Sequence, residues 1–414
     1  MNFPEDRGFV TSARLWGPQS PGSTCRRVVA LFLTLMIGSG CQEPPGASFR
    51  LNLEGRDPAE ISSLAREEIT RFLEELFGTP DEPRLPPGVD LDLGRLKQAA
   101  GHPVGDVDAQ GTAVIRRGYY RRYCARCHGI SGDGAGPAAL VMDPYPRDFR
   151  RGIFVYTSTV PGAKPSREDI RRGVRDGLPG SGMPGFSRLG SDVIEALVDY
   201  VIYLAIRGET ELLLIQYVVD EEEPLPLTVP FKERFVNEDI AFIASQWRAP
   251  EVEPDRVVVK PPSAPSFDDK QERAAWVQQG KEIYLSARAQ CSKCHGLEGA
   301  GDGEQAGSLY DDWNYPKRSP DANQTEKRAR LYTLPLRRLR ARNLKEDLFR
   351  GGNRPEDLYL RIAVGLKGTP MPGAGGSPEV PGVLNPAEIW QVVWFVRSLS
   401  GQLPRCLESA GHAK

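Results

Sequence analysis

Cys124-Ala125-Arg126-Cys127-His128 and Cys291-Ser292-Lys293-Cys294-His295 are the two stretches that decide how this chain is read. Each places two cysteines three positions apart with a histidine directly after. Two thiols about one helical turn apart suit addition to the two vinyl groups of a haem. The histidine that follows then sits under the iron as its proximal ligand. The chain holds seven cysteines and four histidines in 414 residues, so two chance copies are a poor explanation. A zinc site would want four soft ligands in one place, commonly two CxxC pairs about 15–20 residues apart. Here the pairs lie 164 residues apart. Each also has the same downstream context, which neither a zinc site nor a thioredoxin-like redox pair requires. The spacing predicts two covalent haem c groups, attached at Cys124, Cys127 and Cys291, Cys294, with His128 and His295 as proximal iron ligands.

The context after each motif repeats. His128 is followed by a glycine-dense loop, Ser131 to Pro137, and His295 by Gly299-Ala300-Gly301-Asp302-Gly303. An amphipathic segment comes next, Ser166 to Asp176 in one copy and Pro355 to Val364 in the other. Then come Gly182-Met183-Pro184-Gly185 and Pro370-Met371-Pro372-Gly373, and finally a closing helix, Ser191 to Ala205 and Pro386 to Leu399. Leading helices are expected over Thr112 to Tyr123 and Ala274 to Ala289. The motif histidine precedes the loop methionine by 55 residues in the first unit and 76 in the second. An insert near Tyr310 to Arg338 accounts for the difference. This is an internal duplication.

A thioether ligand favours ferrous iron and fills the sixth position, which gives an iron that transfers electrons without binding a substrate. Met183 and Met371 occupy equivalent loops flanked by proline, which fixes the backbone and so the direction of the sulfur. A lone methionine is usually core packing, but the same Met-Pro-Gly at the same place in two units points to ligation. Met142 has no counterpart in the second unit and reads as packing.

Both units resemble class I c-type cytochromes, with CxxCH on a leading helix and a Met-Pro loop before a closing helix. The resemblance implies an all-α fold with two cytochrome c-like haem-binding domains in tandem, similar to diheme electron carriers and to diheme subunits of bacterial respiratory complexes. It also implies that Pro137 orients the carbonyl that receives the His128 ring N–H. The second unit has no proline before Pro316 for that purpose. The implied organisation is a signal peptide over 1–40, a tether and amphipathic helix over 41–110, and cytochrome c domains over 111–207 and 272–405. An acidic, Pro-rich linker over 208–271 joins them, and 406–414 is a tail.

Arg26 and Arg27 precede the apolar run Val28 to Ile37, which ends in Gly38-Ser39-Gly40-Cys41. This pattern reads as an export signal of bacterial lipoprotein type, with Cys41 as the lipid-bearing first residue. Export fits covalent haem, which bacteria attach outside the cytoplasmic membrane. Asp57 reads as the cap of a helix carrying Ile61, Leu64, Ile69, Phe72, Leu73, Leu76 and Phe77. Residues 79–110 read as loop, with His102 on the surface, and Phe235 to Trp247 as a short helix. Prolines 250, 254, 261, 262 and 265 mark a stiff linker.

Net charge is −2, which gives no pull towards nucleic acid. Charge is uneven, at +7 over residues 111–186, +5 over 272–373 and −7 over 207–271. Basic side chains near the haems neutralise propionates or steer acidic partners. The reading is electron transfer through two His/Met haems on the periplasmic side of the cytoplasmic membrane. Its redox partners would be a quinol-oxidising complex and a terminal oxidase or reductase. A diheme peroxidase is the alternative and needs one open iron with an acid/base group above it. A redox or gas sensor would need a methionine that leaves its iron.

Overall fold

The computed structural model describes residues 46–107, 113–220, 227–307, 309–310, 331–335, 337–346 and 348–401. The expected export signal, Cys41, the tail and most of the insert lie outside them. The chain is all-α, about 48% helical with few strands.

Asp57 caps only a single tight turn, Pro58–Glu60, because Ile61 is extended. The long helix α1, Ser63–Phe77, starts one step later. Ser62 caps it by accepting from the Ala65 N–H, and Gly78, at φ 72°, ends it. Ile69, Phe72, Leu73 and Phe77 are buried, whereas Leu64 faces solvent.

The stretch expected to be loop contains helix α2, Leu93–Ala99, and strand β1, Val104–Val107. The leading helix expected over Thr112 to Tyr123 is another correction. Strand β2, Ala113–Arg117, pairs antiparallel with β1, and only α3, Tyr119–Tyr123, is helical before α4, Ala125–His128. The β-branched pair Val114-Ile115 suits a strand. Gly118, in the left-handed region, turns the chain back into helix. Its N–H donates to the Gln98 carbonyl at 2.8 Å, so the hairpin is an excursion that leaves α2 and returns beside it.

Helix α5, Arg167–Asp176, starts in a capping box between Ser166 and Asp169. Helix α6, Ser191–Ile215, begins where expected and runs ten residues past Ala205, as the apolar run from Leu212 to Val219 allows. Its far end is fixed by a fully buried Arg207–Glu211 pair at 2.7 Å, and Glu211 also accepts from the Asn52 N–H. More than half of the described residues of the supposed linker are helical. Helix α7, Val229–Arg234, is capped by Thr228, a wide turn covers Phe235–Ile240, and α8, Ala241–Val252, encloses a buried Pro250. A last short turn, α9, is Pro254–Val257. Phe231, Phe235 and Trp247 join the core that holds Phe72, Leu73, Tyr200 and Leu204. The N-terminal region and the linker helices therefore share one apolar core with the first haem unit.

The second unit has its own core. Helix α10, Lys270–Leu285, capped by Asp269, crosses the closing helix. Helix α11, Cys291–His295, follows. Strands β3, Leu309–Tyr310, and β4, Arg338–Leu339, pair at the neck of the insert. Helix α12, Pro355–Val364, and helix α13, Pro386–Leu399, match the expected bounds, each with proline in the first turn. Helix α13 starts in a capping box between Asn385 and Glu388, and at the start of α12 Asp357 accepts from the Arg354 N–H at 3.3 Å. The described residues from Ala47 onward belong to one compact unit. Gly351 N–H donates to Pro179 O at 3.2 Å, and the Arg350 side chain donates to Gly180 O at 3.1 Å. These bonds tie the second unit to the Met183 loop of the first.

Candidate haem sites

Each motif sits on its own short helix, with Cys124 at the N-cap of α4 and Cys291 as the first residue of α11, so the two cysteines stand one turn apart. The loop after it returns against the motif's backbone. In the first unit, Gly134 N–H donates to His128 O at 2.9 Å and Gly136 N–H to Cys127 O at 3.0 Å. In the second, Gly301 and Gly303 make the same two bonds, at 2.8 and 3.2 Å. A Cβ on Gly136 would lie 2.5 Å from Arg126 O, and one on Gly303 would lie 2.3 Å from Lys293 O. The glycines allow this close return, which no larger residue permits.

The carbonyl behind each histidine is not where the resemblance placed it. His128 Nδ1–H donates to Arg147 O at 2.9 Å, and Pro137 takes no part. His295 Nδ1–H donates to Arg342 O at 3.0 Å. The missing proline in the second unit therefore removes nothing, because both rings are held by an arginine main chain. These bonds fix the tautomer and leave Nε2 with its lone pair for a metal. Burial pushes His128 down to about 4, opposed by its bond to the Arg147 carbonyl. Burial also lowers His295. Both shifts favour the neutral imidazole, the form that can bind a metal. Burial raises the Cys124 thiol to about 12 and Cys291 to about 11, as apolar walls do to a group that would become charged.

Arg147 and Arg342 were not singled out from the sequence. A weak signal existed, since Arg147-Asp148-Phe149 and Arg342-Asn343-Leu344 occupy the same place in the repeat. Phe149 stacks on the His128 ring at 4.5 Å. Two tyrosines also match, although they lie at different distances from their motifs in the sequence. Tyr120 OH donates to Gly129 O at 2.9 Å, and Tyr284 OH donates to Gly296 O at 2.7 Å. They are structural equivalents, each holding the carbonyl just past the motif histidine.

The two methionine loops match bond for bond. Leu178 N–H donates to Met183 O and Leu366 N–H to Met371 O, at 3.1 and 3.0 Å. Ser181 and Thr369 hydroxyls each donate to the leucine carbonyl at 2.7 Å and accept from the methionine N–H. Met142 also lines the cavity, with its thioether against Gly182.

Cys124, Cys127, His128 and Met183 line the same continuous cavity as Cys291, Cys294, His295 and Met371. Its volume is about 1900 Å³. The donor set, two thiols, a neutral imidazole with one nitrogen committed and a thioether, occurs twice on its walls. That chemistry fits a covalently attached haem with two axial ligands, twice over.

Two family models agree with this geometry. Residues 113–201 match a family model described as "Cytochrome C oxidase, cbb3-type, subunit III". Residues 277–400 match one described as "Cytochrome c". The comparison with curated proteins returns no match. Among solved structures, a chain of the Kuenenia stuttgartiensis reducing HAO-like protein complex is 26% identical. The match covers 68% of this chain and 93% of that one, with a TM-score of 0.45. The chain is a diheme c-type cytochrome, with two c-type cytochrome domains in tandem. It carries covalently bound haem c with iron in both, and its function is electron transfer by haem c.

Proposed function

We propose that the chain passes single electrons between redox proteins through two closed His/Met haems. Cys124, Cys127, His128 and Met183 hold the first, and Cys291, Cys294, His295 and Met371 hold the second. The observation that carries this reading is the duplicated donor set on one cavity. Each bound iron supplies a one-electron couple, and a thioether in the sixth position raises its potential. The chain's own part is to fix ligand direction. Arg147 and Arg342 carbonyls orient the imidazoles, and the Ser181 and Thr369 turns aim the sulfurs.

Arg361 lies in the cavity wall, where its guanidinium donates to Gly352 O at 2.6 Å and burial lowers its pKa. A half-buried cation so placed suits a haem propionate. The equivalence of the two methionine loops supports a carrier over a diheme peroxidase, which needs one open iron. An anaerobic reductive titration tests this. Two electrons per chain with no turnover of hydrogen peroxide are expected, and sustained peroxide turnover would overturn the reading.

The resemblance of the first unit to a subunit of a cbb3-type oxidase supports a place in a respiratory chain. The chain would then work between a quinol-oxidising complex and a terminal oxidase or reductase, outside the cytoplasmic membrane. Among the described residues no helix is long and apolar enough to cross a membrane. Attachment would instead be by lipid on Cys41, and labelled fatty acid should be lost on Cys41→Ser.

A further inference from the structure

Arg337 stands five residues before Arg342, and Met142 stands five residues before Arg147. They hold equivalent places in the repeat, and they touch. One Arg337 nitrogen donates to Met142 O, and another donates to Leu140 O at 2.8 Å. The guanidinium also lies 3.8 Å from the centre of the buried Tyr145 ring. Three contacts thus fasten one side chain of the second unit to residues 140–145 of the first. Two residues past Tyr145 is the carbonyl that holds His128, and five past Arg337 is the carbonyl that holds His295.

We propose that Arg337 is a positioning residue for both haem centres. By joining the two segments that carry the histidine acceptors, it sets both axial imidazoles through the main chain. The proposal rests on His128 and His295 being the iron ligands. A guanidinium suits the task because its planar fork can meet two carbonyls while its face covers an aromatic ring. Lysine keeps the charge but offers a single point donor. The arrangement is not a generic surface ion pair. Both carbonyls belong to the loop that the first unit uses to support its proximal ligand.

The test is a potentiometric titration of the haem-loaded full chain, with both midpoints resolved, for wild type, Arg337→Lys, Arg337→Gln and Tyr145→Leu. Groups that orient a ligand affect metal affinity by about 10–100-fold. Acting at one remove, Arg337 should sit at the low end, about tenfold in the oxidised-to-reduced ratio, or about 59 mV for one electron. Both Arg337 variants should move both midpoints, and Tyr145→Leu should move the first haem more. Should Arg337→Gln load haem poorly, the lysine and Tyr145 variants still decide. Wild-type midpoints in Arg337→Lys would assign the effect to charge and overturn the proposal. Unchanged midpoints in every variant would also overturn it. Failure of the ligand assignment itself would show separately, as an abnormal wild-type spectrum.

Discussion

Replacing Gly280 with alanine probes the helix crossing on which the second haem unit is built. Gly280 lies inside α10, where α10 crosses α13. An added Cβ would stand 2.0 Å from the Gln391 carbonyl oxygen and 2.5 Å from its carbon. Ordinary carbon–oxygen contacts are no closer than about 3.3 Å, so the helices must part by more than an ångström. Overpacking costs about 1–3 kcal/mol. The obstacle is backbone rather than a pliable side chain, which places the cost near the top of that range. Alanine returns about 1 kcal/mol through helix propensity. The net expectation is a loss of about 2 kcal/mol, confined to the second unit.

Guanidinium unfolding followed by the far-red band of Met-ligated ferric haem reads this directly. With a slope of about 4 kcal/mol/M, half of the band should vanish at a midpoint about 0.5 M lower, while the other half stays in place. A stability that is unchanged, or raised by about 1 kcal/mol as propensity alone would give, would refute the close crossing.

Tyr120→Phe and Tyr284→Phe each leave a buried glycine carbonyl without its donor. Each should lower the stability of its own unit by about 1–3 kcal/mol, measured by the same titration, and no loss in either would remove the assigned equivalence. Lys367 donates across the junction to Thr159 Oγ1 and Ala163 O, at 2.7 and 2.8 Å, and burial lowers it to about 8. The unfolded chain holds this proton up to about 10.4. The folded chain binds fewer protons between those values, so Lys367 makes stability rise with pH across that window. Lys367→Met should remove that rise in unfolding midpoints measured from pH 7.5 to 10.

The haem chemistry was legible because attachment needs contiguous residues, and a five-residue motif survives in one dimension. The α12 and α13 bounds were legible for a similar reason, since their caps and first-turn prolines are local. The acceptors of the two histidines were not, because Arg147 and Arg342 act through main-chain carbonyls that any residue carries. The prolines after residue 227 misled for a physical reason. Of those read as a stiff linker, Pro254 opens a helix, where a missing N–H costs nothing, and Pro250 is enclosed in α8. The segment is acidic, yet Phe231, Phe235 and Trp247 give its helices an apolar face to bury. The split before the first motif turns on Gly118, whose left-handed conformation lets the hairpin leave and return. Period alone could not separate that from one continuous helix.

The central claim is that both irons are closed by a histidine and a methionine. The measurement that meets it most directly is the far-red absorption of the purified oxidised protein, per chain. Two haems' worth is expected, halved by either Met183→Ala or Met371→Ala, with carbon monoxide binding appearing only in the reduced variants. One haem's worth in the wild type, or a high-spin signal, would contradict the account.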